Sequence, residues 1–329
     1  MPTGGRPIVA CVGAGRMGRG MAHAFAYAGH EVRLLDAKPR DAAGFAALRT
    51  SALDEVCGTL TDLAGLGLFD VGLVETILAR VSVYPLDQAA TAMRGAAVVF
   101  EGVPETEVAK REAFALIDAS ADTDAIVAST TSTFLSTLIA GFSQTPSRLL
   151  NAHWLNPAYL VPLVEVSPHP ATTPDVTTRL MRLLESIGKV PVLCKASPGY
   201  IIPRIQALAM NEAARLVEEG VASVEDIDKA IRFGFGYRFA ILGLIEFIDW
   251  GGGDILHYAS NYMAAATGED RFKAPAVVTE NMAAGRTGMR TGKGFYDWSK
   301  VDLPAYRRQR LGQFLGLLQH LGQNRPPVA

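Results

Sequence analysis

Apolar and polar positions along the chain follow two regimes that change near residue 196. Before that point short apolar runs alternate with stretches in which apolar residues recur every three or four positions. After it only the second spacing remains. Residues 8–12 (IVACV) read as a buried strand, and Met21, Ala22, Phe25 and Ala26 then mark one face of a helix. The same logic places strands at 31–35, 96–100, 125–129, 149–153, 161–166 and 189–195, with helices at 107–120 and 174–187. Strands alternating with helices imply an α/β fold with a mostly parallel, doubly wound sheet. The turn Ala196-Ser197-Pro198-Gly199 separates a domain of residues 1–198 from one of residues 199–329. Beyond it Ile205, Leu208, Ala209, Ala213, Leu216 and Val217 line one side of a long amphipathic helix. The second domain is therefore expected to be all helical, with a last helix that follows Asp302-Leu303-Pro304 and runs to about residue 321.

The junction between the first strand and the first helix carries chemistry. It reads Gly13-Ala14-Gly15-Arg16-Met17-Gly18. Gly13 permits the tight turn, Gly15 lets the backbone approach a pyrophosphate at the helix N-terminus, and Gly18 lets helix and strand pack closely. The second expected strand ends at Asp36, where an acid that accepts from a ribose 2′-hydroxyl belongs. Its charge would repel a 2′-phosphate, so NAD is favoured over NADP, with Lys38 and Arg40 close by in sequence. Arg16 and Met17 lie where the cofactor would be touched.

Composition adds exclusions. The chain has 329 residues, 49% of them hydrophobic, and a formal net charge of −2, enough for two domains and without a basic stripe to track nucleic acid. No apolar run is long enough to span a bilayer, the stretch 239–248 being far too short, so no membrane partner is expected. The start MPTGGRP has no hydrophobic signal core. Cys11, Cys57 and Cys194 are odd in number and far apart, which suggests reduced, mostly buried thiols in the cytoplasm and no metal site.

In NAHWLNPAYLVPLVEV twelve positions separate His153 from Glu165, and the apolar run between them reads as a strand returning the carboxylate to the imidazole. A histidine whose second ring nitrogen is held by a carboxylate keeps one tautomer and becomes a better base near neutral pH. The alternative is a satisfied core histidine.

The glycine turn, HWLNP with Glu165, ASTTS, the PGY turn, DIDKA and TGKGFYDW together resemble the L-3-hydroxyacyl-CoA dehydrogenase family, over residues 8 to about 298. That resemblance implies a Rossmann-like NAD-binding domain, a helical domain that pairs two copies into a homodimer, and interconversion of 3-hydroxy and 3-oxo acyl groups. It makes His153 the base and Glu165 its partner. Ser132 and Asn156 would hold the substrate oxygen and the nicotinamide region, and Glu105 and Lys110 would fall on cofactor-contacting positions. On local grounds alone, Glu105 and Lys110 also suit an exposed helix start, and Ser132 suits a helix N-cap before Phe134.

Three features depart from the family pattern. The arm between residues 37 and 78 carries Lys38, Arg40 and Arg49 against Asp41, Asp54, Glu55, Asp62, Asp70 and Glu75, a balance that would repel coenzyme A. Pro203 stands where the family has an asparagine, a place a helix tolerates if it lies in the first turn. The segment Gly236-Tyr237-Arg238-Phe239-Ala240 resembles the gulonate 3-dehydrogenase and lambda-crystallin group, in which Arg238 would clamp a substrate carboxylate; otherwise it is an ordinary exposed arginine. Arg290 replaces a lysine of the family, and Arg307, Arg308 and Arg310 read as a solvated face or an intersubunit arm. The expected activity is NAD-dependent oxidation of a short-chain 3-hydroxyacyl-CoA such as 3-hydroxybutyryl-CoA. The alternatives are a free 3-hydroxy carboxylic acid as the small-molecule substrate, and a non-catalytic NAD-binding or structural protein.

Overall fold

The computed structural model describes residues 6–325 and 327. Strands β1 (Ile8–Val12), β2 (Val32–Leu35), β3 (Val81–Tyr84), β4 (Ala96–Glu101), β5 (Ile126–Ser129), β6 (Leu149–Trp154), β7 (Leu163–Pro168) and β8 (Val190–Leu193) form one sheet in the order β3-β2-β1-β4-β5-β6-β7-β8. Neighbours run parallel except β6 and β7, which are antiparallel. The order reverses between β1 and β4, the position at which a doubly wound, Rossmann-like sheet opens a ligand crevice at the carboxyl ends of its strands. Helices α1 (Arg16–Tyr27), α2 (Ala42–Gly65), α3 (Val74–Leu78), α4 (Ala89–Met93), α5 (Glu107–Ser120), α6 (Ser136–Ile139) and α7 (Pro174–Ser186) accompany it.

The central strands are buried on both sides, which is why they read as unbroken apolar runs. Their residues alternate between two cores. Val9, Cys11, Leu34, Val98 and Phe100 pack with Met21 and Phe25 of α1 on one face. Ala10, Val12, Leu35 and Val99 pack with Phe114 and Ile117 of α5 on the other. Of the thiols, only Cys11 is buried; Cys57 and Cys194 are half-buried and all three are free. No helix of the described residues is long and apolar enough to cross a membrane.

The chain divides into compact units Met1–Ala209 and Met210–Ala329, a division that falls inside α8 (Ile202–Glu218). The first turns of α8 stay with the sheet because the backbone N–H groups of Ile201 and Ile202 donate to Glu165 of β7. The second unit holds α9 (Val224–Ala230), a π-helical segment (Ile231–Gly236) running into α10 (Tyr237–Phe239), then α11 (Leu244–Gly251), α12 (Gly253–Thr267), α13 (Ala276–Ala283) and α14 (Leu303–His320). The TGKGFYDW segment is fastened by buried Asp249, which accepts from the Phe295 and Tyr296 amides at 2.9 and 2.8 Å and from Trp298 Nε1 at 2.8 Å. A side chain at Gly294 would collide with that carboxylate, its Cβ lying 2.1 Å from Asp249 Oδ1. Arg310 is no solvated-face residue: its Nε lies 2.9 Å from Glu246 Oε1.

Candidate active site

Two of the three glycines meet a steric demand of the turn, and the third stands open. Gly13 has φ +113°, and a Cβ there would lie 2.6 Å from the carbonyl oxygen of Gly102 at the end of β4. A Cβ on Gly18 would lie 2.1 Å from the Gly13 carbonyl oxygen, so this glycine is what lets α1 sit against the turn. Gly15 meets nothing within 4 Å; its open side faces the crevice. There a cavity of about 700 Å³ is lined by Gly13, Gly15, Arg16, Met17, Asp36 and Leu86, among others. A cradle with free backbone at a helix N-terminus fits a dinucleotide pyrophosphate. Asp36, 4% exposed, lies on the same cavity. Its Oδ1 accepts from the Lys38 amide at 3.2 Å and its Oδ2 from Arg40 Nε at 2.6 Å. The arginine that sequence places near Asp36 is thus bound to it.

A buried charge cluster lies beyond β4. Lys110 is 1% exposed, not the solvated helix-start residue that local sequence allows. Its Nζ sits 3.2 Å from both Glu101 carboxylate oxygens and 3.0 Å from Glu105. Glu101, fully buried, also accepts from Ser129 Oγ at 2.5 Å and from the Val103 amide at 2.9 Å. Glu105 is partly exposed and accepts from the hydroxyls of Thr131 and Thr133. Burial alone would push its carboxyl up, but those hydroxyls and the Lys110 ammonium hold it down at about 2. Sequence reading missed Glu101; the available signal was an acid closing an otherwise apolar strand.

This cluster positions the segment that carries Ser132. Asn151 Nδ2 donates to the Thr131 carbonyl at 3.2 Å and Tyr200 Oη to the Phe134 carbonyl at 2.7 Å, so the segment is tied on both sides. Ser132 itself is exposed and caps nothing. The nearby helix starts later, at Ser136 with Leu135 as its N-cap, and Thr131 Oγ1 takes the Phe134 amide at 2.9 Å. Asn156 is likewise exposed, two residues past β6 and joined to Pro157 by a cis peptide bond. With Arg16, Thr59 and Tyr159 it lines a second cavity of about 280 Å³. Behind that cavity buried His23 stacks on Tyr159 with ring centroids 4.5 Å apart, its Nδ1 2.9 Å from Thr59 Oγ1.

His153 and Glu165 face each other directly across the antiparallel β6–β7 pair. In that register both side chains project from the same face. His153 Nδ1 lies 2.8 Å from Glu165 Oε2. The other oxygen, Oε1, accepts from the Ile201 and Ile202 amides at 2.9 and 2.8 Å. Glu165 is completely buried, and each of its oxygens is engaged: Oε1 by two backbone amides and Oε2 by the imidazole. This assigns the Nδ1–H tautomer and leaves His153 Nε2 as an acceptor with no partner among the described residues. Tyr200 stacks on the imidazole at 5.7 Å with an interplanar angle of 21°. Its φ of +42° is a strained conformation for a tyrosine. Burial, with Cys194, Glu105 and Glu165 nearby, pushes its phenol up, so it acts here as a hydrogen-bond donor and wall. Sequence reading used the PGY turn without giving Tyr200 a role. Arg238 lies in the helical unit, exposed, its guanidinium 4.7 Å from the Phe247 ring centre.

Residues 8–197 match the 3-hydroxyacyl-CoA dehydrogenase NAD binding domain, and residues 199–298 match the 3-hydroxyacyl-CoA dehydrogenase C-terminal domain. The chain is 31% identical to the 5-formyl-3-hydroxy-2-methylpyridine 4-carboxylate 5-dehydrogenase of Mesorhizobium japonicum, over 92% of this chain and 94% of that one. It is 36% identical to the lambda-crystallin homolog of Bos taurus over 77% of each. Among solved structures, the 3-hydroxyacyl-CoA dehydrogenase of Archaeoglobus fulgidus superposes with a TM-score of 0.74 at 28% identity, covering 97% of this chain and all of that one. With a cradle that fits NAD, the chain belongs to the 3-hydroxyacyl-CoA dehydrogenase family, NAD-dependent oxidoreductases that act on CH–OH groups.

Proposed function

We propose that this protein interconverts a 3-hydroxy and a 3-oxo group with His153 as the proton acceptor and Glu165 as the residue that orients it. The observation that supports this most directly is the 2.8 Å contact between His153 Nδ1 and a carboxylate pinned by two backbone amides. Bound NAD would supply the acceptor for hydride leaving the carbinol carbon. As hydride departs, positive character on that carbon is relieved only by loss of the hydroxyl proton, which His153 Nε2 is free to take. Glu165 then faces an imidazolium and stabilises it; in the reverse direction the protonated ring polarises the ketone. Ser132 and Asn156 would fix the substrate oxygen and the nicotinamide region. Gly13, Gly15, Arg16, Met17 and Gly18 would cradle the pyrophosphate and Asp36 the adenosine ribose. Lys110 is too deeply buried to touch a cofactor; its role would be to hold Glu105, which is accessible.

Two substrate classes suit this chemistry. Short-chain 3-hydroxyacyl-CoA thioesters follow from the family. A free 3-hydroxy carboxylic acid is favoured by charge: the arm of α2 and α3 is net acidic, and its Glu55 already engages Arg19 at 2.5 Å. The 31% identical Mesorhizobium japonicum relative is named for a substrate with a free carboxylate. Homodimerisation through the helical unit is part of the proposal, supported by exposed apolar side chains on α12 such as Tyr262, 75% exposed. Its three free thiols suit a reducing compartment such as the cytoplasm.

The test is NADH-dependent reduction of acetoacetyl-CoA beside free 3-oxo acids, with His153→Ala as control. Loss of turnover by roughly 10²–10⁴-fold with NADH binding intact supports the base assignment; retained turnover overturns it. The more reactive class identifies the substrate, and inertness toward both with NADH bound would favour the non-catalytic reading.

A further inference from the structure

Between β6 and β7 the chain makes a loop, residues 155–162, that carries Asn156 three positions past His153. One buried ammonium holds that loop. Lys189, 7% exposed and just ahead of β8, donates from Nζ to the carbonyl oxygens of Ala158 at 2.6 Å and Val161 at 2.8 Å. The same Nζ lies 5.4 Å from the ring centre of Trp154 on β6.

Buried ammonium groups are ordinarily paired with a carboxylate. Among the described residues none lies within ion-pair distance of this one; its partners are two carbonyls and an indole face. Burial without a counter-charge pulls its pKa from 10.5 down to about 8. The charged residues of α7 nearest in sequence, Arg182 and Glu185, are exposed. From α1 the group coupled to it is His23, which burial and this ammonium lower to about 4. The loop's other contacts are also with α1. Ala158 is 1% exposed, a Cβ on Gly20 would lie 3.0 Å from its methyl, and Tyr159 stacks on His23 at 4.5 Å. Asn156 itself stays exposed, beside the cavity of about 280 Å³.

We infer that Lys189 is a positioning residue for the reaction: by holding the Ala158 and Val161 carbonyls it fixes where Asn156 stands relative to His153, and its ammonium form does so more firmly than its amine form. Hydrogen bonds from an ionised donor are about twice as strong as neutral ones, so loss of the proton loosens the loop. The role of Asn156 rests on the proposed function, whereas the clamp stands on the loop's own contacts.

Lys189→Met deletes the donors and keeps an apolar stem of similar reach. With NADH and the better 3-oxo substrate, kcat/KM should fall by roughly 10–100-fold at neutral pH, since small misplacements of a substrate-holding group are costly. The dissociation constant of NADH should stay within about threefold, because the glycine cradle lies on another segment. In an Asn156→Ala background the same change should cost far less, the two residues acting as one unit. The ratio of parent to Lys189→Met kcat/KM should decline as pH rises through about 8, since the variant has no ammonium to lose. Additive effects of the two substitutions, or a ratio that stays flat through that pH, would overturn the inference; a lower melting temperature alone would not support it. Should Lys189→Met fail to fold, the tryptophan emission of the parent, corrected with Trp154→Phe, decides: a transition with its midpoint near pH 8 is expected, and its absence overturns the clamp. That measurement needs no turnover, so a parent inert toward every 3-oxo compound counts against the proposed function while the emission still decides the clamp.

Discussion

Replacing Glu165 with glutamine tests the acid–base pair more sharply than deleting it. The carboxylate has two distinct ends: Oε1 receives the Ile201 and Ile202 amides, and Oε2 faces His153 Nδ1. A glutamine must choose which end carries its oxygen. Turning its NH₂ toward two N–H donors would forfeit two hydrogen bonds in a fully buried place, at about 1–3 kcal/mol each. The oxygen therefore stays on the amides and the NH₂ donates to Nδ1. His153 then carries its proton on Nε2, the nitrogen that has to accept one. The wrong tautomer should cost roughly 10³–10⁴-fold in kcat, by analogy with carboxylate-held histidines in hydrolases, or about 4–5 kcal/mol of barrier. Stability should change little in Glu165→Gln because both amide bonds survive, whereas Glu165→Ala strands two N–H groups at the start of α8 and should lose about 2–5 kcal/mol. Turnover of NADH with the better 3-oxo substrate, urea unfolding and NADH titration on the same preparations separate these effects. Glu165→Gln turning over within tenfold of the parent, with NADH affinity unchanged, would refute the tautomer argument.

Other substitutions probe the cofactor cradle and the acid limb. Asp36→Ala removes an acceptor for the ribose and releases Arg40 from its 2.6 Å contact, so the preference for NAD over NADP should narrow by roughly 10–100-fold, and Asp36→Ala with Arg40→Ala should lose the NADP gain. An unchanged ratio of kcat/KM would place selectivity elsewhere. Gly18→Ala puts a methyl 2.1 Å from a backbone oxygen that cannot swing away; about 1–3 kcal/mol of stability and much of the NADH affinity should go, and an unaltered melting temperature would contradict the close approach. Burial, helped by Lys189, lowers His23 from 6.5 to about 4. The unfolded chain thus holds a proton that the folded one has lost between those values. The contribution is complete above about pH 6.5 and declines as pH falls toward 4, by about 3 kcal/mol in total. His23→Gln should flatten that limb in urea unfolding measured across the range, and an unchanged slope would remove His23 as its source.

The sheet was legible where burial makes strands continuous. β1, β4 and β5 are apolar on both faces and stand out, and Glu107–Ser120 shows an unbroken helical period. β3 was not legible: it is a four-residue edge strand with only Val81 and Val83 buried, too short to separate from a loop. The strand expected at 189–195 shrinks to Val190–Leu193, and the Lys189 side chain just before it binds the Ala158 and Val161 carbonyls. The cofactor turn and the His153–Glu165 pair could be read because each lies within one local unit, a strand–turn–helix or two adjacent strands. Lys110 could not be read. Its two carboxylate partners, and the serine and threonines that complete the cluster, come from separate elements, and only the fold shows that a lysine on a helix start is buried among them.

Pro203 looks at first like a threat to the site, standing where the family has an asparagine. Its position in the hydrogen-bond pattern removes most of that threat. Glu165 draws on the amides of Ile201 and Ile202, and α8 begins at Ile202. Residue 203 is therefore in the first helical turn, where a backbone N–H has no helical partner and proline's fixed φ suits the helix. The amide that proline lacks is one the carboxylate never used. A proline one or two residues earlier would have removed a donor from Glu165 and left His153 less firmly oriented. The departure at 203 thus leaves the His153–Glu165 contact and its two amide donors whole and alters only the side chain presented there. Both departures, the acidic arm and the proline at 203, lie apart from the His153–Glu165 contact, so under the proposed mechanism they bear on what the protein recognises and not on how it moves a proton.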